Sequence, residues 1–156
     1  MSVEIARACL QKFGAEGRML EFDESSATVE LAANVLGVIP ARIAKTLSFK
    51  LKDGCLLVVA AGDAKIDNHK YKDKFGLKAK MLSPDEALAF TGHAVGGVCP
   101  FGVPEGIPVY LDISLKRFDT VFPACGSASS AIELTCDELT RFSSACDWVD
   151  VCTAWE

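Results

Sequence analysis

KTLSFKLKDGCLLVVAAG, residues 45–62, is the stretch on which the fold of this chain turns. Two β-rich runs meet around Asp53-Gly54, the strongest hairpin signal in the sequence. Upstream, Pro40 suits the first turn of a brief helix that delivers the chain into KTLSFKL. Before it, a helix from Thr28 to Leu36 is capped by Thr28 and ended by Gly37, and a short strand spans Arg18 to Phe22. Residues 2–13 read as an amphipathic helix with Ile5, Ala8, Cys9 and Phe13 on one side and Gly14 as its stop. Downstream, a lysine-rich helix over residues 67–75 ends at Gly76. Ser83-Pro84-Asp85-Glu86 is a capping box with proline at the first helical position, and Gly92 stops that helix. IPVYLDI, TVFPACG and SAIELT follow as three strands, Thr135 to Glu138 repeats the capping box before a helix to Phe142, and WVDVC makes a last strand. Hairpin strands mixed with helices give an α+β domain on a mixed, curved sheet.

The bulk properties fit that reading. A chain of 156 residues suits one domain, and a domain of this size buries roughly 70% of its unfolded surface. Hydrophobic residues make up 50% and charged residues 24%, the balance of a soluble globular protein. No apolar stretch approaches the ~20 residues that span a bilayer. The start, MSVEIARACLQKFG, lacks the order of a signal peptide, so a cytoplasmic location and no membrane partner are expected. Composition leaves the oligomeric state open.

The net charge is -5, but it is unevenly spread. Residues 65–80 carry six lysines against Asp67 and Asp73, a local balance of +4, while residues 133–156 carry a balance of -5. That asymmetry permits an anionic partner on one face, although on composition alone a solvated helix face with ordinary surface lysines explains it better. No RNA-binding module signature is present.

The seven cysteines are an odd number with no CxxC pair, so neither a zinc site nor a disulfide framework has a pattern to start from, and no metal or cofactor is expected. Most sit in apolar runs, where a free thiol packs as a small hydrophobe. Cys99 differs because it lies in GHAVGGVCPFG, residues 92–102. Glycine and Pro100 make this a shaped loop of the kind that carries binding on a rigid scaffold. A nucleophilic Cys99 needs a base or a positive field nearby, and the chain has only His69 and His93. An exposed loop histidine at 93 is more often incidental than chemical. Lys45, between Ala44 and Thr46 at a strand entrance, either snorkels to solvent or points its ammonium into a cleft as a compact charge. With shaped backbone opposite, the second arrangement suits polarising an ester without a protein nucleophile.

The combination of ARIAKTLSF, AAGDAKID, TGHAVGGVCPFG and ACGSASSAIELT resembles the YbaK/prolyl-tRNA synthetase editing-domain family of free-standing aminoacyl-tRNA deacylases, over about Thr28 to Phe142. The resemblance implies a mixed sheet curved into a pseudo-barrel with helices outside. It also implies hydrolysis of small amino acids wrongly attached to tRNA, commonly tRNA for proline, with the 3′ end of aminoacyl-tRNA as partner and a synthetase as a further one. Lys45 matches the family's hallmark lysine. Gly96, Gly97, Val98, Cys99 and Pro100 match its GxxxP loop, which orients the aminoacyl group beside the terminal adenosine. Gly126 and Ser127 match its small-residue stretch, and Thr46 and the Leu20 to Phe22 strand are weaker candidates for pocket walls. Asp63 and Asp67 fit the family's GD turn, where capping and turn formation are their expected roles. The family relies on the substrate's ribose hydroxyl and on water, in keeping with the lack of a Ser-His-Asp set here. Cys99 before the proline, and a late segment without a second glycine and basic residue, depart from the common pattern. A non-catalytic tRNA- or synthetase-binding module is the alternative function, and a cysteine hydrolase using Cys99 a third.

Overall fold

Helix α1 covers Ser2–Gln11, and the turn after it closes on Gly14 at φ 69°. The structure, a computed structural model, describes residues 2–23, 28–94 and 97–155. The buried side of α1 is set by Ala6 and Leu10, with Cys9 partly covered, whereas Ala8 faces solvent. Of the expected face, Ile5 and Cys9 are partly buried, while Phe13 lies beyond the helix, where it stacks on Phe142 at 4.7 Å between ring centroids. A 3-10 turn at Glu16–Arg18 leads into the short strand β1, Leu20–Glu21.

Helix α2, Val29–Leu36, has the expected ends: Thr28 Oγ1 accepts the Leu31 amide at 3.2 Å, and Gly37 closes it in the left-handed region. Pro40 opens a 3-10 turn, Pro40–Arg42, which feeds strand β2, Ile43–Leu51. Strand β3, Gly54–Ala61, pairs antiparallel with β2 from Leu51↔Gly54 to Ala44↔Ala61. The turn residues are therefore Lys52 and Asp53, and Gly54 already belongs to the strand without a positive φ.

Strand β4, Lys65–Ile66, precedes helix α3, Asn68–Phe75, which Asp67 caps by accepting the Lys70 amide at 3.0 Å. Helix α4, Pro84–Thr91, begins with the full capping box and ends at Gly92, φ 79°. Next come β5 (Val109–Asp112), β6 (Thr120–Pro123), β7 (Ser130–Ala131), β8 (Leu134–Thr135), helix α5 (Cys136–Ser143), β9 (Asp147–Val149) and β10 (Cys152–Thr153). SAIELT and WVDVC thus each split in two. In WVDVC the split lets β9 pair with β5 while β10 pairs with β4, and buried Asp112 pins the crossover by accepting the Val151 amide at 3.0 Å.

The main sheet runs β8-β6-β2-β3-β5-β9 and is mixed, antiparallel at β2/β3 and β6/β8 and parallel at the other pairs. It curves into a half-barrel with the helices packed around it in one domain. β3 lies at its centre: Cys55 to Ala61 are all buried, which a run with no charged side chain tolerates on both faces. An aromatic ladder, Phe49–Tyr71–Phe75–Tyr110 at 4.8 to 5.0 Å, fixes α3 to the sheet. Helix α2 instead packs on a smaller, separate core of Ala32, Ala33, Ile43 and Phe122. Among the described residues, no helix is long and apolar enough to cross a membrane.

Candidate functional site

A cleft of about 320 Å³ opens between β2 and the α2 that leans on it. Val29, Ala32 and Leu36 of α2 form one wall, β2 from Ile43 to Ser48 the floor, and Met81, Leu82 and Val98 the opposite side. The far end is built by Phe122, Ala124, Ser130 and Ala131. That size and an apolar lining with a few polar groups are the usual make-up of a small-molecule site.

Lys45 lines this cleft, and its strand position opposite Ala60 brings it beside the turn that follows β3. Its Nζ donates to the carbonyl oxygen of Ala64 and, at 3.4 Å, to that of Gly62. Burial pulls the lysine's pKa below its ordinary value, countered by Cys152, Asp63 and Glu30. An ammonium has three donors, and two carbonyls account for two of them. Thr46 also lines the cleft, and its Oγ1 is buried with no hydrogen-bond partner among the described residues.

The expected loop residues separate into different environments. Val98 reaches the cleft. Gly97 is wedged against the second expected segment: a Cβ there would sit 2.7 Å from the Gly126 carbonyl group and from Ser127 Cα. Gly126 itself has φ 90°, and Ser127 bonds to Ser130 Oγ at 2.9 Å, so it braces a residue that lines the cleft. Gly96 lies outside the described residues. Pro100 is buried and borders a different hollow of about 590 Å³, with Gly102, Lys12 and Phe142.

Cys99 is fully buried, and burial pushes its thiol up to about 12. His93 is also fully buried rather than exposed, with Nε2 2.8 Å from the Phe101 carbonyl oxygen and 3.5 Å from Cys99 Sγ. Because a carbonyl only accepts, Nε2 carries the hydrogen, and the pair ties the two ends of the glycine-rich loop together. Among the described residues, no group of three or more His, Cys, Asp or Glu is placed to hold a metal ion.

Several lining residues had no sequence signal of their own. The α2 wall reads as ordinary helix, and Met81-Leu82 as a connection; both reach the cleft only because β2 passes between them. Leu20 and Glu21 do not line it but pair with Ala131 and Ser130, which do.

This fold and cleft belong to a known class: the chain matches the aminoacyl-tRNA editing domain over residues 23–142 and is a member of that family. It is 57% identical over 157 residues, covering all of both chains, to the uncharacterized protein YwhH of Bacillus subtilis (strain 168). It is 31% identical over 101 residues to a proline--tRNA ligase of Geobacillus sp. (strain WCH70), a match that takes in 64% of this chain but only 18% of the ligase. A crystal structure of a "putative trans-editing enzyme for prolyl tRNA synthetase" superposes with a TM-score of 0.88 at 27% identity, covering 97% of each chain.

Proposed function

We propose that the protein is a trans-acting aminoacyl-tRNA deacylase that hydrolyses the ester of a small amino acid mischarged onto tRNA, with tRNA for proline as the first candidate. The observation that carries this reading is Lys45, held by two backbone carbonyls in a cleft of about 320 Å³ within an editing-domain fold. Kinship with the editing family supports the reaction class, and the likeness to proline--tRNA ligases supports the choice of tRNA.

In this account the aminoacyl group enters the cleft and the third N–H of Lys45 meets an oxygen of the substrate. Water forms the new bond to the ester carbonyl carbon, the bond to the ribose oxygen breaks, and that oxygen leaves protonated. Lys45 and nearby backbone contribute by orienting the ester and countering charge on its oxygen as it develops. The Cys99 thiol, sealed in the core and protonated at neutral pH, takes no part as nucleophile. Gly97, Gly126 and Ser127 shape the loops at the end of the cleft, and Thr46 and Val98 contact the aminoacyl group.

A panel of tRNAs mischarged with alanine, cysteine, serine and threonine tests the proposal. Ester loss well above the uncatalysed rate on at least one is expected; equal binding of charged and uncharged tRNA without ester loss would favour a binding module instead.

A further inference from the structure

The turn that holds Lys45 is itself held by a pair of charges. Asp63 sits between the two carbonyls that receive the ammonium, and its carboxylate takes a two-pronged bond from Arg117, at 3.0 Å from Nη1 and 2.6 Å from Nη2. Arg117 is in turn fixed: Nε donates to the Ser114 carbonyl at 2.9 Å, and the guanidinium lies 4.9 and 5.0 Å from the Phe118 and Trp155 ring centroids. The Ser114 hydroxyl accepts the Ala61 amide at 3.1 Å at the start of the same turn. A Cβ on Gly62 would collide with the Pro40 carbonyl oxygen and come within 2.6 Å of Val29 Cγ1, so the turn has no room to shift toward α2.

We propose that Asp63 and Arg117 are positioning residues for Lys45: the ion pair fixes the turn, and the turn's carbonyl oxygens fix the ammonium at the cleft. A planar fork matched to a carboxylate sets direction as well as charge, which a lysine in place of Arg117 cannot reproduce. Asp63 acts a second way, because its negative charge favours the protonated amine against burial. The other ionisable groups that face Lys45 are Glu30 on α2, Cys152 on β10 and Lys65 on β4. As a statement about turnover this inference rests on the deacylase reading; as a statement about the lysine it stands apart from it.

The test is a nitrogen-15 NMR titration of the Lys45 amine, assigned by its loss in Lys45→Ala, in the wild type, Asp63→Asn and Arg117→Ala. Asp63→Asn removes the favourable charge and moves the titration to lower pH. Arg117→Ala leaves the carboxylate unpaired and moves it to higher pH. Titrations unchanged in both variants would overturn the proposal. In deacylation assays each variant loses on the order of 10- to 100-fold in kcat, with the alkaline limb moving in the same two directions, and Arg117→Lys restores only part of the rate. A rate loss with a fixed alkaline limb and unmoved titrations would mean general structural damage and would also overturn it. If the wild type hydrolyses no ester, the deacylase reading fails alone, and the titrations still decide the clamp; should Arg117→Ala not fold, Asp63→Asn, which keeps the shape of the side chain, decides it.

Discussion

Lys45 carries two conflicting demands, a charge to offer and a site that disfavours charge. Burial lowers its pKa, so the ammonium is lost at a lower pH than for a free lysine. If the charged form orients the ester, kcat/KM, corrected for spontaneous hydrolysis, falls as pH rises through that lowered value; a pH–rate profile checks the sign. Gly97 offers a second test at this scale. Its missing side chain lets the glycine-rich loop touch the Gly126-Ser127 backbone, and neither partner can swing aside. Gly97→Ala is expected to cost about 1–3 kcal/mol, measured by denaturant unfolding, and to lower deacylation further by displacing Val98. Lys45 and this loop were visible in the sequence as residue types. That Cys99 and His93 face inward was not, because glycine and proline mark a loop without saying which of its side chains turn toward the core.

Among the elements, α5 shows how local signals and long-range partners combine. Thr135 and Glu138 close the capping box that their spacing announces. The same Glu138 carboxylate receives Arg18 at 2.6 and 3.1 Å, a partner 120 positions away that no local pattern reveals. Arg18 holds this carboxyl down at about 2, against an ordinary value of 4.5. Its folded pKa is depressed, so the stability it adds is full above about 4.5 and is lost as the pH falls toward about 2. Glu138→Ala is expected to destabilise by about 1 kcal/mol at neutral pH, and thermal melts of the two proteins should converge as the medium is acidified through that window. Capped helix ends were legible, because caps are written within four residues, whereas α1 stops at Gln11 short of the expected Phe13. Faces and breaks were less so: α1 is turned by one step, and WVDVC divides because Asp112 recruits the Val151 amide from across the fold.

At the scale of the molecule, the cleft lies where the main core meets the smaller one under α2. The hairpin at residues 43–61 supplies both the spine of the sheet and the floor of the site, so one stretch of sequence positions fold and chemistry together. The α+β class and the mixed sheet were readable from the succession of hairpin strands and helices along the chain, whereas the α2 wall and the Asp63–Arg117 clamp arise from contacts between distant segments. If this chain removes small amino acids from tRNA with Lys45 at the reacting end, losing that lysine abolishes most of the activity. The most direct test compares wild type with Lys45→Ala on tRNA for proline carrying each small amino acid, at equal enzyme and with folding checked by circular dichroism. Ester loss by the wild type on at least one substrate is expected, with a drop of on the order of 100-fold or more in the variant. Full activity in Lys45→Ala, or no hydrolysis of any such ester by the wild type, would contradict that expectation.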